Sequence, residues 1–170
     1  MKEQNVKEQS IKLLNQGVAD ELWAVHQYMY FHFHCDDQGY DLLADIFKKT
    51  AIAEMVHVEE FAERILFLGG TIELEASKEV SKVHEVREML EMALRMEEEA
   101  IDFYNQSANL CTADGDAGSR VIFERLVSDE EKHADQFEIQ LKHLDRFGEH
   151  YLVLQSIERS RTLARGEAAE

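Results

Sequence analysis

Residues 53–70 have the sequence AEMVHVEEFAERILFLGG, and a related segment, DEEKHAD, occupies residues 129–135. Each contains a glutamate followed three positions later by a histidine: Glu54 with His57, and Glu130 with His133. Side chains three positions apart lie on one face of an α-helix, so each segment can direct a carboxylate and an imidazole the same way. The two glycines that end the first segment supply a helix stop. Two helices, each with one E-x-x-H motif, are therefore predicted.

Two further glutamates extend this motif into an internal repeat. Glu21 lies 33 residues before Glu54, and Glu97 lies 33 residues before Glu130. The same shift of 76 residues relates other positions: Ala24 and Ala100, Tyr28 and Tyr104, Cys35 and Cys111, Phe47 and Phe123, and Phe61 and Phe137. The two halves are therefore predicted to be diverged copies of one helical hairpin, related by a pseudo-twofold axis. Such an axis brings four glutamates and two histidines together.

Hydrophobic periodicity and glycine-rich breaks predict five helices. They span about residues 6–37, 41–68, 84–111, 119–147 and, for the short fifth helix, 150–162. Short breaks after the first and third helices can join only antiparallel neighbours. The connection over 71–82 can stretch to roughly 40 Å, about the length of a 28-residue helix, so it can cross the whole bundle. The predicted fold is all-α, a ferritin-like four-helix bundle with one long crossover and a short fifth helix.

Composition supports this fold and narrows the function. The 170 residues include no proline and 8 glycines, which favours long helices. The length fits a single domain over 1–170. The charged tail over 163–170 is expected to be mobile. Asp and Glu total 35 against 18 Lys and Arg, a net charge of -17, which argues against nucleic acid as a partner and favours cations. The N-terminus does not resemble a signal peptide, and no apolar run is long enough for a membrane span, so a cytoplasmic protein is expected.

The six repeated residues form a set of ligands suited to two divalent ions. Four carboxylates and two neutral imidazoles carry four negative charges, and oxygen with imidazole nitrogen donors suits Fe or Mn. Isolated buried carboxylates are costly, so four of them at matched spacings are hard to explain as packing. Glu54 and Glu130 are expected to bridge the two ions because they share their helices with the histidines. Glu21 and Glu97 are then the terminal carboxylates.

Tyrosines and cysteines also follow the repeat. Tyr28 and Tyr104 lie near the ligand face, where either core packing or a hydrogen bond to a ligand carboxylate is expected. Cys35 and Cys111 should lie at opposite ends of the bundle, which excludes a disulfide between them. The remaining histidines show no second ligand constellation: His26, His32, His34, His84, His143 and His150.

These segments resemble bacterioferritin over about residues 10–160. The likeness lies in ELWAVHQY, AEMVHVEEFAERILFLGG, MALRMEEEA, DEEKHAD and GEHYLVLQSI, which begin at residues 21, 53, 92, 129 and 148. The resemblance implies a ferroxidase that oxidises Fe(II) with O2 or H2O2 at a di-iron site within each subunit. It also implies storage of the Fe(III) mineral in a hollow shell of about 24 subunits, with a ferredoxin-like reductant as a further partner. Lys49 and Ala53 depart from the inner-surface His and Asp of some bacterioferritins.

Other functions remain open at this point. A Dps-like smaller shell that detoxifies peroxide shares this type of site, and a rubrerythrin-like di-metal oxidase or peroxidase shares the bundle. The chain lacks the cysteine-rich module that usually accompanies the latter. A helical interaction protein without activity would contain no metal.

One face of the first hairpin predicts an interface between subunits. About 100° from the ligand face, the first two helices stay apolar, at Leu22, Val25, Met29, Phe33, Ala51, Ile52, Met55, Val58 and Ala62. A twofold dimer interface is expected there. Met55 must point onto this face because it directly follows Glu54. The resemblance to bacterioferritin implies that Met55 is one of two symmetric axial ligands of a shared haem, walled by Leu22, Val25, His26 and Met29.

Overall fold

The computed structural model of the protein describes residues 2–164. Five helices follow in chain order: α1 (Lys2–Asp37), α2 (Asp41–Phe67), α3 (Val86–Asp114), α4 (Ala117–Phe147) and α5 (Glu149–Ala164). They confirm the predicted all-α class and the predicted helix order. The predicted tail lies outside the described residues from 165 onward, and its first two residues belong to α5.

The turn between α3 and α4 is shorter than the sequence predicts, because the predicted third and fourth helices leave a turn over 113–118 between them. Helix α3 continues through Asp114 and ends at Gly115, whose φ of 79° places it in the left-handed region that glycine adopts without strain. Asp116 then caps α4, because its carboxylate accepts a hydrogen bond from the backbone N–H of Ser119 at 3.1 Å. One glycine and one capping residue are enough to reverse the chain.

The order of cross-helix contacts fixes the topology. Tyr28 on α1 contacts Glu97 on α3, whereas Glu21, earlier on α1, contacts Tyr104, later on α3. Aromatic pairs between α2 and α4 also occur in reverse order, Phe47 with Phe137 and Phe61 with Phe123. Both pairs of helices are therefore antiparallel. The short turn between Asp37 and Asp41 makes α1 and α2 antiparallel. Helices α2 and α3 therefore run parallel, as the long crossover predicts.

The crossover between α2 and α3 lies along α1. Its hydrogen bonds occur in the same order on both segments: Asn15 with Thr71 and Glu73, Ala19 with Ser77, and Gln27 with Ser81. The buried Gln27 amide donates to the Ser81 carbonyl at 3.1 Å and accepts from the Ser81 N–H at 2.8 Å. These bonds satisfy backbone N–H and C=O groups of the crossover, which lie outside the helices and so have no helical hydrogen-bond partner. The crossover thus carries the chain from one end of the bundle to the other.

The buried side chains form two hydrophobic clusters. The 76-residue repeat relates residues of one cluster to residues of the other. Phe47 and Phe137 belong to the first cluster, and their repeat partners Phe123 and Phe61 belong to the second. Cys35 and Cys111 divide in the same way, one in each cluster, and both are free thiols. Burial raises the pKa of the Cys35 thiol to about 12. The clusters and the thiols therefore follow the pseudo-twofold relation seen in the sequence.

Helix α5 contacts the turn between α1 and α2. The Arg159 guanidinium lies 3.0 Å from the Asp36 carboxylate and 2.8 Å from that of Asp41. Tyr151 donates a hydrogen bond to the side chain of Gln140 on α4.

Over residues 2–164, no helix combines the length and the apolar character that a membrane crossing requires.

Candidate metal centre

The structure brings together all six residues that the repeat singled out. They come from four helices: Glu21 from α1, Glu54 and His57 from α2, Glu97 from α3, and Glu130 and His133 from α4. All are buried except His133, which is partly buried. The group lies midway along the bundle between the two hydrophobic clusters, so water is largely excluded from it.

Two of the carboxylates each span both histidines. Glu54 places one oxygen 2.7 Å from His57 Nδ1 and the other 3.0 Å from His133 Nδ1. Glu130 does the same, with oxygens 3.0 Å from His57 Nδ1 and 2.9 Å from His133 Nδ1. The two imidazole rings lie 6.1 Å apart between centroids. Each of these carboxylates thus offers one oxygen to each of two neighbouring positions.

The other two carboxylates lie on opposite sides of the centre. Glu21 Oε1 is 3.2 Å from His57 Nδ1, and Glu97 Oε2 is 3.9 Å from His133 Nδ1. The ligand atoms therefore form two overlapping groups, each with its atoms within 4.8 Å of one another: Glu21, Glu54, His57 and Glu130; and Glu54, Glu97, Glu130 and His133. Glu54 and Glu130 are the members that the two groups share.

Both tyrosines hydrogen-bond to carboxylates of the centre. Tyr28 on α1 donates to Glu97 Oε1 on α3 at 2.5 Å, and Tyr104 on α3 donates to Glu21 Oε1 on α1. Each phenol thus holds the glutamate of the opposite hairpin. Of the two roles the sequence left open, the hydrogen bond to a carboxylate is therefore present, and both rings are also packed in the core.

Several oxygens of the centre have no hydrogen-bond donor. Both oxygens of Glu54 and Oε1 of Glu130 are buried without a partner, because the nearby imidazole nitrogens are not aligned as donors to them. An unpaired polar atom in a protein interior is costly, and native proteins rarely leave one unexplained. These oxygens are therefore directed at space suited to cations.

The electrostatics of the centre favour positive charge. Burial, reinforced by neighbouring carboxylates, raises the pKa of Glu21 and of Glu97. Burial alone would lower the pKa of His133, but the adjacent Glu130 and Glu54 raise it to about 10. Burial would raise the pKa of Glu130, but both histidines lower it to about 2. Without metal, protons on the imidazoles thus balance part of the carboxylate charge, and a bound cation would replace them.

Asp129 is a neighbour of the centre that the sequence did not single out. Its carboxylate lies 3.9 Å from Nε2 of His57, the ring nitrogen that faces away from the glutamates. Lys132 and Arg125 form ion pairs with Asp129 at 2.8 and 3.0 Å. The repeat does not indicate it, because the shift of 76 relates Asp129 to Ala53, which carries no carboxylate.

Met55 lies on the outer face of α2, as predicted. Its side chain is 56% exposed, and Ile52 and Phe33 nearby on the same hairpin face are 48% and 60% exposed. In the single chain these three side chains are open to solvent, whereas Ala51, predicted from the sequence to lie on the same face, is buried in the core. Glu54 and Met55 thus face in different directions from consecutive positions.

The chain is similar in sequence to known proteins of the ferritin-like class. A family model described as a ferritin-like domain matches residues 11–147, which agrees with the bundle topology and the buried carboxylate centre. The bacterioferritin of Desulfovibrio desulfuricans is 36% identical over 147 residues, covering 86% of this chain and 82% of the relative. The bacterioferritin of Mycolicibacterium paratuberculosis is 32% identical over 149 residues, covering 88% and 94%.

Solved structures agree with these sequence matches. The X-ray structure of the Desulfovibrio desulfuricans bacterioferritin, which describes its diiron site in different catalytic states, superposes with a TM-score of 0.89 at 35% identity, over 92% of this chain and 91% of that one. The Mycobacterium tuberculosis bacterioferritin BfrA gives a TM-score of 0.81 at 31% identity, over 88% and 92%. The chain belongs to the bacterioferritin family.

Proposed function

We propose that the protein is an iron store that oxidises Fe(II) at the six-residue centre and retains the Fe(III) product as mineral inside a shell of identical subunits. The observation that carries the proposal is the placement of Glu54 and Glu130. Each offers one oxygen to the position beside His57 and the other to the position beside His133. Two cations at a short separation are what such a pair of spanning carboxylates can hold.

The residues present fit a pair of iron ions. One ion would be held by Glu21, Glu54, His57 and Glu130, and the other by Glu54, Glu97, Glu130 and His133. The unpartnered oxygens of Glu54 and Glu130 would gain a partner. The donors are carboxylate oxygens and imidazole nitrogens, which suit Fe(II) and Fe(III), and four carboxylates balance two divalent charges. Glu54 and Glu130 would be bridging ligands, and Glu21 and Glu97 terminal ligands.

Two bound Fe(II) ions would supply two electrons, enough to reduce H2O2 to water or O2 to H2O2. The protein's own part is positioning. The tyrosines orient the terminal carboxylates, and burial between the two hydrophobic clusters limits access of water. Fe(II) as substrate must displace protons from the imidazoles, so loading releases protons to solvent.

The matches to bacterioferritins over most of both chains favour this function over the Dps-like shell, the rubrerythrin-like oxidase and the non-enzymatic interaction protein. The subunit number of about 24, a ferredoxin-like reductant and a cytoplasmic location are parts of the same proposal. They are supported by the resemblance to bacterioferritins. The acidic charge of -17 suits a container for cations.

Haem at a twofold interface is a further part of the proposal. The residues fit the group: Met55 presents a thioether sulfur on an exposed apolar face, and a symmetric contact would bring two such sulfurs together. Leu22, Val25 and Met29 are partly buried on α1, and His26 is exposed there. These four would wall a porphyrin.

Replacement of Glu130 tests the centre. Glu130→Ala removes an oxygen from both positions, so we expect Fe(II) oxidation after an oxygen pulse to slow at least about a hundredfold. Co(II), which resists oxidation here, should bind at fewer than two ions per chain. The matched control is Glu131→Ala, an exposed neighbour on the same helix, which should keep parent behaviour. Parent-like oxidation and Co(II) binding by Glu130→Ala would overturn the assignment.

A further inference from the structure

A pocket connects the metal centre with the surface between α1 and α3. Its volume is about 290 Å³, and it lies beneath the crossover. The buried end is lined by the two terminal carboxylates, Glu21 and Glu97, with both tyrosines. The outer end is lined by Asp20, which is partly buried, and Glu99, which is exposed. Acidic side chains thus follow one another from the mouth of the pocket to the centre.

One cationic side chain, Lys78, lies at this mouth. Its ammonium is 3.3 Å from Glu99 Oε2 and 4.1 Å from the centre of the Trp23 ring. The backbone around it is held, because the Ser77 N–H donates to the Ala19 carbonyl at 2.9 Å and Gln27 binds Ser81 on the other side. These bonds hold the backbone on both sides of Lys78, so its side chain can rotate while its Cα stays beside the pocket.

We propose that divalent cations reach the six-residue centre through this pocket, and that Lys78 is a built-in cation at its mouth which an arriving ion must displace. The proposal rests on the proposed function, since it requires a metal centre at the inner end. It adds a residue that sets how fast that centre fills. The lysine comes from the crossover between α2 and α3.

The Lys78–Glu99 contact suits a gate that opens readily. Both side chains are more than half exposed, at 53% and 67%, and ion pairs at such positions are weak and screened by salt. A divalent ion is attracted to Glu99 twice as strongly as an ammonium at equal distance. Fe(II) can therefore take the place of Lys78, whereas Na⁺ and K⁺, with the same charge as lysine, have no such advantage.

Trp23 supplies a direct readout of this event. It is the only tryptophan of the chain, it lines the pocket, and Lys78 lies over its ring. Departure of the ammonium and arrival of a paramagnetic ion both change its fluorescence. The measurement therefore needs no turnover of iron.

The experiment mixes Co(II) with the metal-free protein in a stopped-flow instrument and follows Trp23 fluorescence, with bound Co(II) counted by equilibrium dialysis. Lys78→Met keeps the apolar stem and removes the charge, so we expect Co(II) to bind about three- to tenfold faster at low ionic strength. The gain should vanish near about 1 M salt, where the screening length is about 3 Å. Lys78→Arg should keep the parent rate. Lys82→Met is the matched control, because Lys82 lies on the same crossover over Tyr30 and outside the pocket.

Each result decides between the proposals. Faster binding by Lys78→Met alone, with two Co(II) still bound per chain, supports the gate. An unchanged rate with two Co(II) bound overturns the gate and leaves the proposed function standing. Equal acceleration by Lys82→Met shows a general effect of net charge and also overturns it. A parent protein that binds no Co(II) overturns both.

Discussion

Tyr104 offers a test of how the protein tunes one metal position without touching the other. Its hydroxyl donates to Glu21 Oε1, and Glu21 belongs to only one of the two ligand groups. Tyr104→Phe removes this hydroxyl and keeps the ring, which packs against Phe61 and Phe123. We therefore expect the change to weaken metal binding at the position beside His57 and to leave the fold intact.

The size of the effect follows from the bond that is lost. A hydrogen bond to a charged acceptor contributes about 1.5 to 3 kcal/mol, and Tyr104 is almost fully buried, so water cannot replace it. Loss of a hydrogen-bond partner that orients a metal ligand typically lowers metal affinity about ten- to a hundredfold, so the Kd of one metal ion should rise by that factor. The second ion, held by the group that contains Glu97, should keep its affinity.

The assay is a calorimetric titration of the metal-free protein with Co(II), which resolves two ions of different affinity. Tyr28→Phe is the control that the repeat supplies, since Tyr28 donates to Glu97 and should weaken the other position by a similar factor. Two results would refute the reasoning. Either an isotherm identical to the parent's, or equal weakening of both ions by each variant, would show that the phenols do not act on separate positions.

Two further predictions concern the outer face of the first hairpin. Ile52→Glu places a charge on this exposed apolar surface, so light scattering should detect smaller assemblies than in the parent. The control is Ser128→Glu, at the exposed position on α4 that the repeat relates to Ile52. An unchanged mass for Ile52→Glu would exclude the interface. When iron and porphyrin are supplied during expression, the parent should show a Soret band that Met55→Leu lacks, with Fe(II) oxidation within about twofold of the parent because Met55 faces away from the centre. A Soret band that survives in Met55→Leu would show that another residue ligates the haem.

The sequence was informative wherever a helical period carried the signal. Residues three and four apart share a helix face by geometry alone, so Glu54 and His57 could be placed together without knowledge of the fold. The 76-residue shift then related Glu21 to Glu97 across the chain. Bundle topology followed from the length of one connection, and the structure confirms it.

Contacts of the crossover could not be predicted in the same way. The segment has no period, so nothing in it indicates that Gln27 binds Ser81 or that Lys78 lies over Trp23. The neighbouring rings of His34 and His84, 4.3 Å apart between centroids, were missed for the same reason. The turn near Gly115 was predicted too long because several residues there favour turns, whereas one left-handed glycine and one cap are sufficient.

The cross-linked arrangement of the ligands has a consequence for the cohesion of the whole bundle. Each hairpin contributes half of the centre, and each ligand group contains residues from both. Residues of both hairpins also share the two hydrophobic clusters, and ions bound at the centre would add a further link between the hairpins. Without metal, the four carboxylates lie close together between the hairpins, and protons balance only part of their charge. Metal loading and the stability of each subunit would therefore be coupled through one free energy, so a metal-free subunit is expected to unfold more readily.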